Sequence, residues 1–519
     1  MTEQLPVVVV GAGPIGLTAA LGLEHYGIPY VLLEEDATLS SDTKAGTTLS
    51  RTLEIWNRYG AVDRILGAAL RIDEIGDIDR ATNTPRASVQ LAELANDTQF
   101  PFVINLPQQK MEPLLAAALS TPVRTQHRMT SFEVRDDRVV LQVETPDGPQ
   151  ELEASYLLAC DGGRSRIRDA LGVKVVGETL PERYMLIDVV VDLDVDNARD
   201  YPYLAYFADK SEWMVLIRQP DNWRFLFPLA PGADAPGDED LLVKVKQFIG
   251  EVDRIELMGS VVYNVHHRVA EQWSADRRVF LMGDAAHLIT PMWALGLNTG
   301  ALDASNLPWR LAWVLRGWAD PSLLDGYEQE QRPVAIEGSG EMAEAARKYM
   351  SFQQGAVTAG TSDWATAYTR TLLSVRLDVD GTGDWSMVAT AAEPPAVRAG
   401  DRAPDLVLQS PTGRVTIHDL CRDSFVALYF TDVRRRPEIP LNGSPALQHY
   451  AVSRWDAPHD SGLRDRALFD PGSVATKRYG VPPESVVLLR PDGHVAAVAP
   501  MSTGVAEELY SRITGKEVP

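Results

Sequence analysis

The sequence predicts an α/β chain, α+β overall, and three observations carry that expectation. A valine run at 6–10 passes directly into Gly11-Ala12-Gly13-Pro14-Ile15-Gly16 and a helical pattern. Two later apolar runs, 156–160 and 278–282, each end in an Asp beside a Gly. Between those two lies a stretch of alternating aromatic and aliphatic residues that reads as antiparallel sheet. The expected architecture is a Rossmann-type dinucleotide-binding unit with an antiparallel sheet inserted in it, followed by a separate C-terminal unit.

The first element is a strand at 6–10, apolar enough to be buried on both faces. Residues 17–26 have helical spacing and Gly27 stops them; 30–33 is a second buried strand with Glu34 at its end. Each part has a mechanical role. Gly11 allows a tight turn, Gly13 lets backbone approach a pyrophosphate, and Gly16 lets the helix pack on the strand. The helix N-terminus offers N–H groups and positive partial charge to phosphates. Glu34 can accept hydrogen bonds from both hydroxyls of an adenosine ribose. This fingerprint alone leaves FAD and NAD(P) both open.

The second strand tip runs into Asp161-Gly162-Gly163-Arg164-Ser165-Arg166, the third into Gly283-Asp284-Ala285-Ala286-His287. A carboxylate at the C-terminal edge of a parallel sheet lies where ligands bind. It suits a polyol such as a ribityl chain, and the adjacent glycine leaves room for the chain to pass.

Composition removes several other classes. With 49 basic and 72 acidic residues the net charge is −23, which repels phosphate backbones and anionic lipid, so no nucleic-acid or membrane partner is expected. Two cysteines, Cys160 and Cys421, are too few for a disulfide scaffold, and neither CxxC nor HExxH occurs, so no metal site is expected. The apolar window 5–23 is interrupted by Gly11, Gly13, Pro14 and Gly16 and preceded by Glu3; it reads neither as a signal peptide nor as a membrane span, and a cytoplasmic protein is expected.

With these motifs in this order, the chain resembles the single-component FAD-dependent aromatic hydroxylases, the group of para-hydroxybenzoate and phenol hydroxylases. The resemblance rests on GAGPIG from 11, LPQQKMEPLL from 106, CDGGRSRIRDALG from 160, the 278–315 stretch containing GDAAH, and LLDGYEQEQRPVA from 323, and it covers most of residues 1–390. It implies a FAD-binding domain at 1–175 and 278–390, a substrate-binding sheet domain at 176–277, and after a linker near 385–397 a thioredoxin-like domain at 398–519 that lacks CxxC and so has no redox role. It implies FAD as cofactor and NADPH or NADH as a transient reductant. Oxygen from O2 would be transferred, through a flavin C4a-hydroperoxide, to a phenolic or polyketide-like aromatic substrate. Baeyer–Villiger or epoxidising chemistry on the same scaffold and a non-catalytic flavin-binding protein are the alternatives. Monomer and homodimer both remain open.

Carried over by position, the resemblance implies that Gly11, Gly13, Gly16, Glu34 and Glu35 hold the ADP half. Lys44, Gln108, Asp161, Gly162, Gly283, Asp284, Pro291, Gly296, Leu297 and Asn298 would contact the remainder of FAD. The helix opened by Gly296 would lie beneath the flavin pyrimidine and stabilise negative charge on reduced flavin. Lys44 stands where the family has an arginine, and Ala294 and Leu295 replace the Gly and Gln of the family's PxxGQGxN. The inserted sheet would roof the substrate, with Tyr206, Trp213, Arg218, Trp223, Phe225 and, from the loop, Trp293 as pocket residues. Trp223, Phe225 and Phe227 share one face by alternation. No general base is identified; Pro291, Trp293 and His267 are the catalytic candidates, and His287 is assigned a structural role. Pro308 predicts a kink or break near Asn306 in the helix that contains it.

Overall fold

The computed structural model describes residues 4–39, 46–193, 202–250, 252–351, 396–435, 439–440, 443–457 and 464–519, together with 365, 368–369, 372 and 376–379. Lys44 and most of the expected linker lie outside the described residues.

Strands Val7–Val10, Tyr30–Leu33, Tyr156–Ala159 and Val279–Leu281 form a parallel sheet, with Ser274–Ala275 added antiparallel at one edge. Val10 lies beside both Ala159 and Leu33, and Ala159 lies beside Leu281. The residues that follow, Gly11, Cys160 and Met282, therefore leave the sheet at one common edge. Val7, Val8 and Val9 are fully buried, as expected of a strand covered on both faces.

Above this unit stands an eight-stranded sheet. Its order is His287–Leu288, Ile255–Ala270, Val175–Val191, Trp223–Leu229, Trp213–Arg218, Leu204–Ala208, Glu74–Asp79 and Thr84–Gln90. The sheet thus extends beyond residues 176–277 by recruiting a hairpin from the first segment. Its two faces separate by alternation. Tyr184, Leu186, Tyr206, Trp213 and Leu226 pack inward with Trp293 and Leu295. Met185, Ile187, Phe207, Trp223, Phe225 and Phe227 pack outward against Leu241, Val245 and Phe248 of the Asp238–Ile249 helix. Trp223, Phe225 and Phe227 do share a face, but it is the one turned away from the parallel-sheet unit.

The Leu295–Leu315 helix runs unbroken through Pro308, so the expected break near Asn306 is absent. Proline there costs a straight helix about 3 kcal/mol or more, in part by leaving the carbonyl four residues earlier without its donor. Here that carbonyl, Ala304, accepts the Tyr59 hydroxyl at 3.4 Å. The Pro308 ring lies over Gly22, where even a Cβ would come within 2.9 Å. The tertiary environment supplies the donor and the space that helical geometry withholds.

The C-terminal unit is a seven-stranded mixed sheet, in the order Gly413–Thr416, Val407–Ser410, Ala467–Phe469, Leu447–Ser453, Phe425–Phe430, Ser485–Leu489 and Val495–Pro500. Phe425–Phe430 pairs parallel with Leu447–Ser453 and antiparallel with Ser485–Leu489. The unit docks through aromatic and ionic contacts. Phe425 lies edge-on to Trp309 and Trp313, with ring centroids 5.6 and 5.9 Å away. Arg402 donates to Glu54 through Nε at 2.9 Å. Burial pushes Glu54 up, yet Arg402, His418 and Arg51 together hold it well below the usual carboxylate range.

Two histidines make this junction pH-sensitive. Burial holds His494 at about 4, and holds His418 far below the ordinary imidazole range despite Glu54 beside it. His494 faces Asp492, Arg51 and Arg490. An unfolded chain protonates both near pH ~6.5, so their contribution is complete above that value and is lost as pH falls toward about 4. Acidification from pH 7 to pH 5 is therefore expected to lower the melting temperature of the natural protein more than that of His494→Gln. Equal losses in parallel thermal scans would contradict this assignment.

Among the described residues no helix is long and apolar enough to cross a membrane, and no cluster of His, Cys, Asp and Glu could hold a metal ion.

Candidate active site and cofactor cleft

Two cavities, of about 320 and 340 Å³, open at the three strand tips. They share Gly13, Gln108, Cys160 and Gly162 as walls and so form one elongated cleft.

The first half is built by the glycine loop. Gly11 has φ +100°, and a Cβ there would lie 2.3 Å from the Cys160 carbonyl oxygen. A Cβ at Gly16 would lie 1.9 Å from the Gly11 carbonyl oxygen. A Cβ at Gly13 would meet nothing within 4 Å, because that backbone borders the open cavity. No side chain caps the Pro14–His25 helix that follows. The Glu34 carboxylate is fixed at the cavity wall: Oε2 accepts from the Ala12 N–H at 2.8 Å and Oε1 from the Asp36 N–H at 3.0 Å. Glu35 also lines this half and pairs with Arg166 at 3.2 Å. Asp161 accepts from the Ile167 N–H at 3.2 Å, while its buried Oδ1 has no hydrogen-bond partner among the described residues. Burial pushes the Asp161 carboxyl up. Gln108, which lines both halves, opens the Gln108–Ala116 helix and donates to Glu112 at 2.7 Å.

The second half has Pro14, Asp284, Gly296 and Leu297 on one side. Leu186, Ile217, Arg224, Leu226 and Tyr263 of the large sheet face them. Gly283 turns the chain at φ +57°, and its N–H donates to Asp303 Oδ2 at 2.9 Å. His287 contacts the same oxygen at 3.0 Å and stacks on Trp273, so it anchors the Asp284 turn from behind. Pro291 lines the cavity ahead of Trp293 and Ala294, which adopt φ +59° and +58°. Left-handed backbone costs a residue with a Cβ about 1–2 kcal/mol. Two contacts hold it: Asn298 Nδ2 donates to the Ala294 carbonyl at 2.7 Å, and the Trp293 ring packs on Tyr368 at 4.9 Å. No side chain caps the Leu295–Leu315 helix, whose first turn borders the cavity at Gly296 and Leu297.

The side chain of Asn298 fastens the Thr47 wall to the helix. Its Oδ1 accepts from the Leu49 N–H at 2.9 Å and the Thr52 hydroxyl at 2.7 Å, and its Nδ2 also donates to Thr47 O at 3.2 Å.

The expected substrate residues are also redistributed. Trp223 and Phe225 belong to the outward core. Tyr206, Trp213 and Trp293 pack on the inner face beside the cavity without lining it; the Tyr206 and Tyr368 hydroxyls meet at 3.3 Å. Arg218 donates to the Gln219 and Asn222 carbonyls and stacks on Trp223. His267 packs against Gly340, outside both cavities.

The residues that face the cavity from the sheet, Arg224 and Tyr263 among them, escaped the sequence reading. Arg224 is 2% exposed and makes a bidentate pair with Asp188 on the neighbouring strand, at 2.8 and 2.9 Å. A charged residue between Trp223 and Phe225 was the available signal: where the aromatic positions face one core, the arginine between them faces the opposite side.

The cleft fits an elongated molecule with a diphosphate near its middle, where the two cavities share Gly13, and a flat ring system at one end. Gly13 leaves backbone bare for the first, Asp161 Oδ1 awaits a donor, and the uncapped helix end faces the second. FAD has this form.

Comparison with known proteins agrees. Over 344 residues the chain is 33% identical to a 3-(3-hydroxy-phenyl)propionate/3-hydroxycinnamic acid hydroxylase of Burkholderia cenocepacia, an alignment covering 64% of this chain and 61% of that protein's length. To tetracenomycin B2 monooxygenase-dioxygenase of Streptomyces olivaceus it is 30% identical over 538 residues, covering 95% of each. The crystal structure of a ternary complex of aklavinone-11 hydroxylase with FAD and aklavinone has the same fold, with a TM-score of 0.81 at 24% identity over 99% of this chain and 100% of that one. Residues 4–338, which contain every strand tip of the cleft, match the FAD binding domain family, and the chain belongs to that family with FAD as its cofactor.

Proposed function

We propose that this chain is an FAD-dependent monooxygenase that uses NAD(P)H and O2 to hydroxylate a phenolic or polycyclic aromatic substrate. The observation that carries the reading is one cavity bounded on one side by an uncapped helix start, Gly296 and Leu297, and on the other by the sheet face of Leu186, Arg224 and Leu226. Bound FAD supplies the two-electron reduction by NAD(P)H and the activation of dioxygen. Gly11, Gly13 and Glu34 would hold its ADP half, and Asp284 its ribityl chain.

The protein's part is positioning, charge and dryness. The first-turn N–H groups and dipole of the Leu295–Leu315 helix favour negative charge at the ring nearest Gly296. Leu186, Ile217, Leu226, Ile289 and Leu297 exclude water from the space between ring and substrate. Burial pushes the Tyr263 phenol up, so it stays protonated and can donate to a substrate oxygen. Asp188 holds the Arg224 guanidinium in one orientation on the same wall. The activities named for the Burkholderia and Streptomyces relatives support an aromatic substrate.

The test is a set of phenols and aromatic polyketides offered to the purified yellow protein with NADPH or NADH under labelled dioxygen. Faster NAD(P)H oxidation and one labelled oxygen atom in a ring-hydroxylated product are expected. A flavin-loaded protein whose NAD(P)H consumption none of them raises would refute the reading.

A further inference from the structure

We infer that the C-terminal unit has a cofactor-directed role: the hairpin tip at 490–494 sets the relative position of the two helices that frame the flavin half of the cleft. Asp492 in this tip is the positioning residue. The inference requires FAD in the cleft but no particular substrate.

The tip is inserted between the two helices. The Asp492 carbonyl accepts from Arg51 Nη2 at 2.7 Å, and Arg51 lies in the Ser50–Arg58 helix. The Asp492 carboxylate accepts from Trp309 Nε1 at 3.2 Å, and Trp309 lies in the Leu295–Leu315 helix. One residue of the C-terminal unit thus grips both helices, and it is 1% exposed. Arg490 fixes Asp492 in turn, donating through Nε to its Oδ1 at 3.1 Å. It also reaches Glu330 at 2.7 Å, which accepts from Asn306 of the same long helix at 2.8 Å.

At the cleft the same helices meet a second time. Asn298, in the first turns of the long helix, bonds Leu49 and Thr52 at the start of the short one. Beside this joint stand Thr47, just ahead of the short helix, and Gly296 and Leu297 of the long one, all three of which wall the flavin half. The two helices are fastened at the cleft by Asn298, and at the far end both through the tip and directly, by Arg58 donating to Ser305 at 3.2 Å and Tyr59 to the Ala304 carbonyl at 3.4 Å. Loosening the tip leaves those direct bonds to hold the far end alone, and a small shift there is carried along the long helix to its start at the ring.

The electrostatics give the tip little freedom. Burial pushes Asp492 up, but Arg490 and His494 hold it far below the usual carboxylate range, so it remains an anion gripped by fixed donors. The small void beside it, lined by Arg51, Ser305, Asn306 and Gln331, has no room for a water molecule. Nothing mobile cushions the contact.

Full-length protein loaded with FAD is compared with Asp492→Asn, which keeps the shape and removes the charge, and with Trp309→Phe, which keeps ring packing and removes one hydrogen bond. Leu468→Ala, in the buried core of the C-terminal unit on a strand that does not pair with Ser485–Leu489, serves as a variant that loses stability away from the tip. The readouts are the rate of FAD release, the flavin midpoint potential and the melting temperature. Both tip variants are expected to release FAD at least fivefold faster. Their reduced flavin should be bound less favourably relative to oxidised flavin, which lowers the potential. Leu468→Ala should lower the melting temperature with FAD release and potential unchanged. Release within twofold of the natural protein and an unshifted potential in Trp309→Phe would overturn the inference, whether or not Asp492→Asn folds. So would an equal effect of Leu468→Ala on release and potential.

Discussion

Gly16→Ala is expected to leave the chain without bound FAD. A methyl group at this position would sit 1.9 Å from the Gly11 carbonyl oxygen, a backbone atom that cannot rotate aside. Alanine is the better helix former by about 1 kcal/mol, but overpacking of this kind costs about 1–3 kcal/mol or more. The clash is relieved when the loop opens, and opening moves Gly13 and the start of the Pro14–His25 helix away from where a pyrophosphate would sit. A loss of about 3 kcal/mol in cofactor binding is a factor of about 150 in affinity. Titration of the apoprotein with FAD, followed by flavin fluorescence, measures this. Affinity within tenfold of the natural protein would mean that the loop does not hold the diphosphate.

Asp284→Ala is expected to lose FAD by a different route, without damage to the fold. Asp284 is exposed at the cavity and follows a turn fixed by Asp303 from behind. The turn should survive its removal. A hydrogen bond to a charged group contributes about 1.5–3 kcal/mol, so one or two ribityl hydroxyls lost from a carboxylate lower affinity by about 10- to 100-fold or more. The purified variant should be pale or colourless and should melt close to the apo form of the natural protein. Full occupancy by yellow cofactor would exclude Asp284 from the ribityl contact.

The strand tips were legible in the sequence because backbone geometry dictates them. A residue with φ +100° whose Cβ would lie 2.3 Å from a carbonyl oxygen has to be glycine, as Gly11 is, and a parallel strand buried on both faces has to look like residues 7–10. The roof was half legible. Period-2 alternation told that Trp223, Phe225 and Phe227 share a face, but which face looks inward depends on where the Asp238–Ile249 helix docks, and no local pattern encodes that. Pro308 misled because the missing donor is replaced by Tyr59, remote in sequence. The joint that the Asn298 amide makes with Thr47, Leu49, Thr52 and Ala294 was not legible, because three of those partners are remote in sequence. The junction that buries Glu54, Asp492 and Arg490 between units left no periodic trace at all.

The strand Trp223–Leu229 divides its labour residue by residue. Positions 223, 225 and 227 belong to the outer core, while 224 and 226 face the cavity. Selection for a new substrate can therefore rewrite the second set while the first keeps the architecture intact. Divergence of this chain toward a differently shaped ligand should proceed by alternate-site exchange along a fixed frame, with Asp188 free to vary only in step with its partner at 224.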